Sequence, residues 1–206
     1  HFPQHYVNMD TVFVASRAGI VQYEKQIVLY QACDPALHRR YDIPQDYDYV
    51  LCGTGGATEW LYKRRGDVYR LLASKYTYHD FGNGHPPEVY IRNYNHAKVQ
   101  IVQPSVGVNG QGMCAQRFFE CLGIGPVLAA DSPDLPHLGL IEGQDYMCFR
   151  NDKELVKKMD LLLKDKDLRD KIAFSGRQKA LAMHTFEHRL ITILNTINEI
   201  TIGTAL

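Results

Sequence analysis

Apolar and polar positions along this chain switch repeatedly between a short-strand pattern and a helical period. Tyr47-Asp48-Tyr49-Val50-Leu51-Cys52 is a largely apolar and aromatic run that stops at Gly53-Thr54-Gly55-Gly56, and a helical period then runs from Thr58 to about Ser74. Strand, glycine turn and helix in that order open a βαβ unit. A second strand fits Tyr76 to Tyr78, followed by the loop Gly82-Asn83-Gly84 and a helix starting at Pro86-Pro87-Glu88, where proline suits the first turn. Lys98 to Val102 reads as a third strand, closed by Pro104. A loop with Gly107, Asn109, Gly110 and Gly112 leads into a helix from Met113 to Leu122; Pro126 to Ala130 is a fourth strand and Tyr146 to Phe149 a fifth. Ahead of this regular part lie a short strand, Thr11 to Ala15, a helical stretch, Ala18 to Gln26, and a strand, Ile27 to Tyr30, ending in the turn-rich Cys33-Asp34-Pro35. After Asn151 the chain is helical. Asn151 to Glu154 starts one helix with Leu155, Met159, Leu162 and Leu163 on one face; Asp165 to Met183 follows; Thr185 caps a last helix carrying Leu190, Ile193, Leu194 and Ile197.

Strands alternating with helices and glycine turns predict an α/β fold: a Rossmann-like parallel sheet with helices on both faces and a helical C-terminal tail. At 206 residues with 45% apolar content, the chain can bury the core of one α/β domain with an appendage. Lys+Arg and Asp+Glu both number 23, so no global field draws the chain to nucleic acid or an anionic membrane. No apolar run approaches the roughly 20 residues that span a bilayer, and the start HFPQHYVNMD is not a signal peptide. Five scattered cysteines without a CxxC argue against a disulfide framework and for a reducing, cytoplasmic setting. The first residue is His rather than Met, so the stretch reads as a piece of something longer.

In an open parallel sheet, ligands sit beyond the carboxyl ends of the strands, which singles out three loops: Gly53 to Thr58, His79 to Pro87, and Pro104 to Met113. Asn109, Gly110, Gln111, Gly112 and Met113 place small or amide residues just where a helix starts, a setting in which backbone N–H groups meet phosphate. A tight turn that binds nothing is the plain alternative. Gly55 and Gly56 carry a weaker version of the same signal. No third glycine of GxGxxG follows, and no acidic residue ends the second strand, which disfavours a nicotinamide or flavin site. Glu120, within Phe118-Phe119-Glu120-Cys121-Leu122, is a carboxylate in an apolar setting that needs solvent or a partner, and a ribose diol offers it two donors. Pairing with Arg117, three residues earlier, is the competing reading. Arg117 itself reaches either a phosphate or a surface carboxylate. The run Lys63-Arg64-Arg65 is either a solvated face or supplies one arginine, Arg64 or Arg65, to a diphosphate. His184 and His188 have helical spacing but lack a third ligand, so they read as structural. Neither a Gly-x-Ser-x-Gly nor a Walker lysine is present.

Several segments together resemble a known family. The stretch Ala97 to Leu190, with Gln116-Arg117-Phe118-Phe119-Glu120-Cys121-Leu122-Gly123, the strand Pro126 to Ala130 ending in Asp131, Asn151-Asp152-Lys153-Glu154-Leu155 and His184-Thr185-Phe186-Glu187-His188-Arg189, resembles the C-terminal half of the CgeB-type, group 1 glycosyltransferases. Gln31-Ala32-Cys33-Asp34-Pro35 with His38 is similar to the linker before their second domain. The resemblance implies a GT-B architecture, in which two Rossmann-like domains face each other across a cleft and the C-terminal one holds a nucleoside-diphosphate sugar. It implies that Glu120 binds the nucleotide ribose, that Asn109 to Met113 meet the diphosphate and sugar, that no metal or other cofactor is needed, and that the acceptor is bound by an N-terminal domain. On this reading residues 1–45 are the inter-domain segment and the end of that domain, 46–183 the nucleotide-sugar-binding domain, and 184–206 a helix returning toward the domain that would precede it. Many relatives pair the ribose glutamate with another eight positions earlier; here that position is Gly112. A non-catalytic nucleotide-binding or protein-interaction module is the rival reading, and a non-hydrolysing nucleotide-sugar epimerase shares the two-domain fold.

Overall fold

The computed structural model describes residues 12–14, 26–51, 63–82, 84–102, 116–130 and 135–203. Its strands are β1 (Val12–Val14), β2 (Gln26–Val28), β3 (Tyr49–Leu51), β4 (Tyr78–Asp80), β5 (Val99–Val102), β6 (Val127–Ala130) and β7 (Met147–Cys148). Its α-helices are α1 (Lys63–Ala73), α2 (Pro87–Asn95), α3 (Gln116–Ile124), α4 (Asp152–Lys164), α5 (Lys166–Met183) and α6 (Phe186–Gly203), with a 3-10 turn at Leu135–Leu138.

Every described strand pair is parallel. β1 pairs with β2, β3 with β4, and β5, β6 and β7 form a three-stranded ladder in that order. The two latter groups adjoin through the Tyr47–Ala97 bridge and through Lys98 N–H and Val99 N–H donating to the Tyr47 and Asp48 carbonyls at 3.0 Å each. Further along, the buried Gln100 side-chain amide donates to the Val50 carbonyl at 3.2 Å. The order β4-β3-β5-β6-β7 reverses direction between β3 and β5, which is where an open sheet of this kind forms its ligand crevice.

Alternation along the strands puts two apolar faces on the sheet. Tyr49, Leu51, Val99, Ile101, Val127 and Ala129 pack with Val68 and Leu72 of α1, Leu155, Met159 and Leu162 of α4 and Ile172 of α5. On the opposite face Val102, Leu128 and Ala130 pack with Phe118, Phe119, Cys121 and Leu122 of α3, and Val50 with Ile91 and Tyr94 of α2. Both faces are therefore covered, as the strand-helix alternation requires. Capping agrees with the sequence: the Asn151 Oδ1 accepts from the Glu154 N–H at 2.9 Å, and the Asp165 Oδ1, at the break between α4 and α5, accepts from the Leu168 N–H at 2.9 Å.

Several boundaries differ from the sequence reading. β4 lies at Tyr78–Asp80 rather than Tyr76–Tyr78 because both earlier residues are taken. The Tyr76 hydroxyl donates to Asp160 at 2.7 Å, and Thr77 donates through its N–H (2.9 Å) and hydroxyl (2.8 Å) to Asp48. β7 shortens to Met147–Cys148, and the strand expected at Ile27 to Tyr30 forms at Gln26–Val28. Residues 18–25, where a helical stretch is expected, lie outside the described residues, as do 58–62 and 113–115 at the expected starts of two later helices.

The linker is fixed at two places. Buried Asn95 accepts from the Tyr41 N–H at 2.8 Å and donates to the Arg39 carbonyl at 3.1 Å, tying residues 39–41 to α2. Cys33 pairs with the start of α6: its N–H donates to the His184 carbonyl at 2.9 Å and its carbonyl accepts from the Phe186 N–H at 3.1 Å.

Candidate functional site

Glu120 sits midway along α3, and three elements converge on it. From α2, the Tyr90 hydroxyl donates to Glu120 Oε2 at 2.8 Å. From the linker, His38 Nε2 lies 3.8 Å from Oε1. Side-chain exposure is 13% for Glu120 and 6% for His38, so the carboxylate meets solvent through a narrow opening.

Local chemistry explains each position. Asp34-Pro35 begins a tight turn in which Asp34 Oδ1 accepts from the Ala36 N–H at 2.9 Å and the Asp34 carbonyl accepts from the His38 N–H at 2.7 Å. His38 Nδ1 accepts from the Asp34 N–H at 2.8 Å, which turns Nε2 toward Glu120. The turn can approach because α3 has Gly123 one turn beyond Glu120. A Cβ there would stand 3.1 Å from Cys33 Cβ and 3.2 Å from His38 Cβ. Tyr90 is aligned by Tyr94, its i+4 neighbour, with ring centroids 4.5 Å apart at 52°. Burial first, then Tyr94 and Glu120, pushes the Tyr90 phenol far above its ordinary pKa, so it keeps its proton and donates.

Arg117 is half-buried beside the same group. Burial acts to lower its pKa, but Tyr94, Tyr90, Tyr69 and Glu120 outweigh that and hold it above the ordinary value. Glu120 accepts from Tyr90 and lies beside His38, while Arg117, which one sequence reading allowed as its partner, acts on it through charge without an ion pair among the described residues. A carboxylate has about four acceptor sites, and the two protein contacts leave others able to accept from a ligand's hydroxyls.

The remaining candidates divide. Gly55, Gly56, Asn109, Gly110, Gln111, Gly112 and Met113 lie outside the described residues. Arg64 ion-pairs with Asp152 at 2.5 Å, both about half exposed, and among the described residues no hydrogen bond or ion pair joins it to Glu120. In the loop after β4, Asp80 Oδ1 accepts from the Gly82 N–H at 2.8 Å, and the His79 ring lies 4.2 Å from Phe81 and 5.3 Å from Tyr47. His184 contacts the Leu138 carbonyl at 2.9 Å and accepts from Arg189 at 3.0 Å, while His188 contacts the Thr185 hydroxyl at 2.6 Å, so both have structural partners. Among the described residues no group of three or more His, Cys, Asp or Glu could hold a metal ion. Sequence reasoning named His38 only as part of the linker and missed Tyr90. The available signals were the turn Asp34-Pro35 with His38 four residues beyond Asp34, and the Tyr90/Tyr94 pair on one helix face.

The glycosyl transferase-like family profile matches residues 35–195, most of the chain and all of the described part of this site. The chain belongs to this family. Within the glycosyltransferases it has the Rossmann-like C-terminal half of the GT-B fold, as the group 1 resemblance implied. Sucrose-phosphate synthase from Thermosynechococcus elongatus superposes with a TM-score of 0.70 at 14% identity, covering 95% of this chain and 59% of that one. Anabaena HepE in complex with UDP and glucose gives 0.69 at 12% identity, covering 92% and 63%. The C-terminal domain of a group 1 family glycosyl transferase, LpcC of Francisella tularensis, gives 0.52 at 11% identity, covering 73% and 97%. This glycosyltransferase chain thus spans about 60% of the first two, and its likeness to all three is one of fold. No curated protein matches the sequence. Among the described residues, no helix is long and apolar enough to cross a membrane.

Proposed function

We propose that this chain is the donor-binding domain of a glycosyltransferase that moves a sugar from a nucleoside diphosphate to an acceptor. The observation that carries this reading is Glu120: a carboxylate with little exposure, oriented by Tyr90 and His38, with acceptor capacity left for a ribose diol. Neighbouring structures that hold UDP make UDP the first nucleotide to try.

In this reading Asn109 to Met113, with Gly55 and Gly56, bring backbone amides to the diphosphate, and Arg117 adds a permanent positive charge nearby. As the glycosidic C–O bond breaks, these groups stabilise the charge gathering on the departing diphosphate, a task they share without needing a metal. Arg64 would have to leave Asp152 to take part; the cost is small, since exposed ion pairs contribute about 0–1 kcal/mol. The loop His79 to Pro87 would read the base.

The domain assignment belongs to the same proposal: residues 1–45 as linker and end of an acceptor domain, 46–183 as donor domain, 184–206 as returning helix. α6 supports it, because Phe186, Leu190, Ile191, Leu194 and Ile197 stand about half exposed along one helix. Buried free thiols at Cys33 and Cys121 suit a reducing cytoplasm.

Calorimetry with a panel of nucleoside diphosphates tests the reading. UDP or another member should bind, and Glu120→Ala should weaken it by roughly 1.5–3 kcal/mol, the range for a charged acceptor. Absence of binding by every member at millimolar concentration defeats the proposal. Unchanged affinity in Glu120→Ala shifts the balance to a module that does not grip ribose.

A further inference from the structure

The end of the sheet at which β5 and β6 begin carries a second concentration of charge. A cleft of about 350 Å³ opens between the linker, the turn before β6 and α5; Arg40, Lys98, Lys166, Arg169 and Arg177 line it, with Asp170 as the one carboxylate. In a chain with equal numbers of acidic and basic residues, this is a strong local excess.

Some of that charge is already matched. Lys98 donates to Asp48 at 2.8 Å, and Lys166 pairs with Asp170. Arg40 and Arg177 form no ion pair among the described residues, although the Asp170 carboxylate is near enough to act on the Arg40 charge. Their side-chain stems lie 3.7 and 3.3 Å from where a Cβ on Gly125 would be, so both guanidinium groups are brought to one turn, and Gly125 (φ 104°) leaves the space between them open. Among the described residues, Arg177 donates through Nε to the Gly123 carbonyl at 3.1 Å. Arg169 is 7% exposed, and its Nε is buried without a hydrogen-bond partner, although Nη1 reaches the Leu162 carbonyl at 2.8 Å. A buried guanidinium donor without a partner, beside two arginines that form no ion pair, leaves this turn with positive charge in excess of its acceptors.

We propose that this cleft binds a phosphate group, carried by a soluble metabolite or by a lipid headgroup. Guanidinium forks match phosphate oxygens bidentately, and the cleft is large enough for such a group with part of what bears it. Lys98 and Gly125 precede β5 and β6, and Gly125 follows the end of α3 five residues beyond Glu120, roughly 7.5 Å along the helix axis, so the cleft neighbours the Glu120 site without including Glu120. Phosphate held here would not occupy the donor position.

The test uses the full chain, isotopically labelled and saturated with UDP so that the donor site is filled. Inorganic phosphate is titrated while the Gly125 and Ala173 amide resonances are followed. In parallel, cosedimentation is measured with phosphatidylcholine vesicles with and without phosphatidic acid. Saturable shifts at these amides, weakened about tenfold or more by Arg40→Glu and by Lys166→Glu, both at exposed positions, are expected. Arg40→Lys should retain most of the binding. Phosphate binding without vesicle binding identifies a soluble ligand, and Arg40-dependent cosedimentation with phosphatidic acid identifies a headgroup. Neither response, or responses unchanged in Arg40→Glu, overturns the proposal. UDP affinity is measured on the same variants and should not move, so failure of the donor reading and failure of this one are separate results.

Discussion

The contact between Tyr90 and Glu120 gives the most discriminating stability experiment. Tyr90→Phe removes one oxygen and nothing else: the ring stays against Tyr94, 4.5 Å away between centroids, so no cavity forms. What is lost is the hydroxyl, which donates to Glu120 Oε2 at 2.8 Å and also hydrogen-bonds with the Tyr94 side chain, leaving the carboxylate with His38 at 3.8 Å. Hydrogen bonds to charged groups contribute about 1.5–3 kcal/mol. The 13% exposure of Glu120 admits some water in compensation. A loss of about 1.5–2 kcal/mol follows, and for a chain of this length each kcal/mol moves Tm by about 2–4 °C, so Tm should fall by roughly 3–8 °C. Urea denaturation followed by circular dichroism measures it, and a double-mutant cycle with Glu120→Ala isolates the pair. UDP affinity should also drop in Tyr90→Phe, by less than in Glu120→Ala, because the ribose acceptor remains but is less firmly aimed. A coupling energy near zero, with unchanged UDP affinity, would refute the role given to Tyr90.

Other consequences follow from the linker and α5. His184 has its pKa lowered to about 4, first by burial and then by the nearby Arg189, although its bond to the Leu138 carbonyl acts the other way. The unfolded chain takes the proton near pH 6.5 and the folded one near 4. Stability is therefore full above about pH 6.5 and declines by about 3 kcal/mol as pH falls through that window. Denaturation midpoints at pH 7 and pH 5 should show the decline, and His184→Gln should flatten it. Gly176 packs α5 directly on the Asp145 carbonyl, with Leu122 Cδ2 2.9 Å from where a Cβ would stand. Gly176→Ala should cost about 3 kcal/mol or more despite the better helix propensity of alanine, whereas Gly176→Ala with wild-type stability would mean that this interface is looser than described.

The order of elements was legible because it rests on local periodicity. Val99–Val102 and Val127–Ala130 are apolar runs between glycine or proline turns, and Asn151 and Asp165 announce helix starts through their side chains. β4 was displaced by two residues because nothing local shows that Tyr76 and Thr77 answer to Asp160 and Asp48, 84 and 29 positions away. At the site, Glu120 could be singled out alone, since a carboxylate in an apolar helix demands a partner.

The identity of that partner could not be read along the chain. Arg117, three residues away, was the local choice; folding instead brings Tyr90 from 30 positions away and His38 from the linker, the latter through the close approach that Gly123 permits. The same holds for Arg64, whose ion pair with Asp152 crosses from α1 to α4, and for the arginines gathered at Gly125 from linker and helix. Strand and helix succession, caps and one demanding carboxylate are properties of neighbours in sequence, so the amino-acid order alone determines them. Which distant groups satisfy a buried charge, and which are left to meet a ligand, depends on the packing of layers against the sheet, and only the tertiary structure decides that.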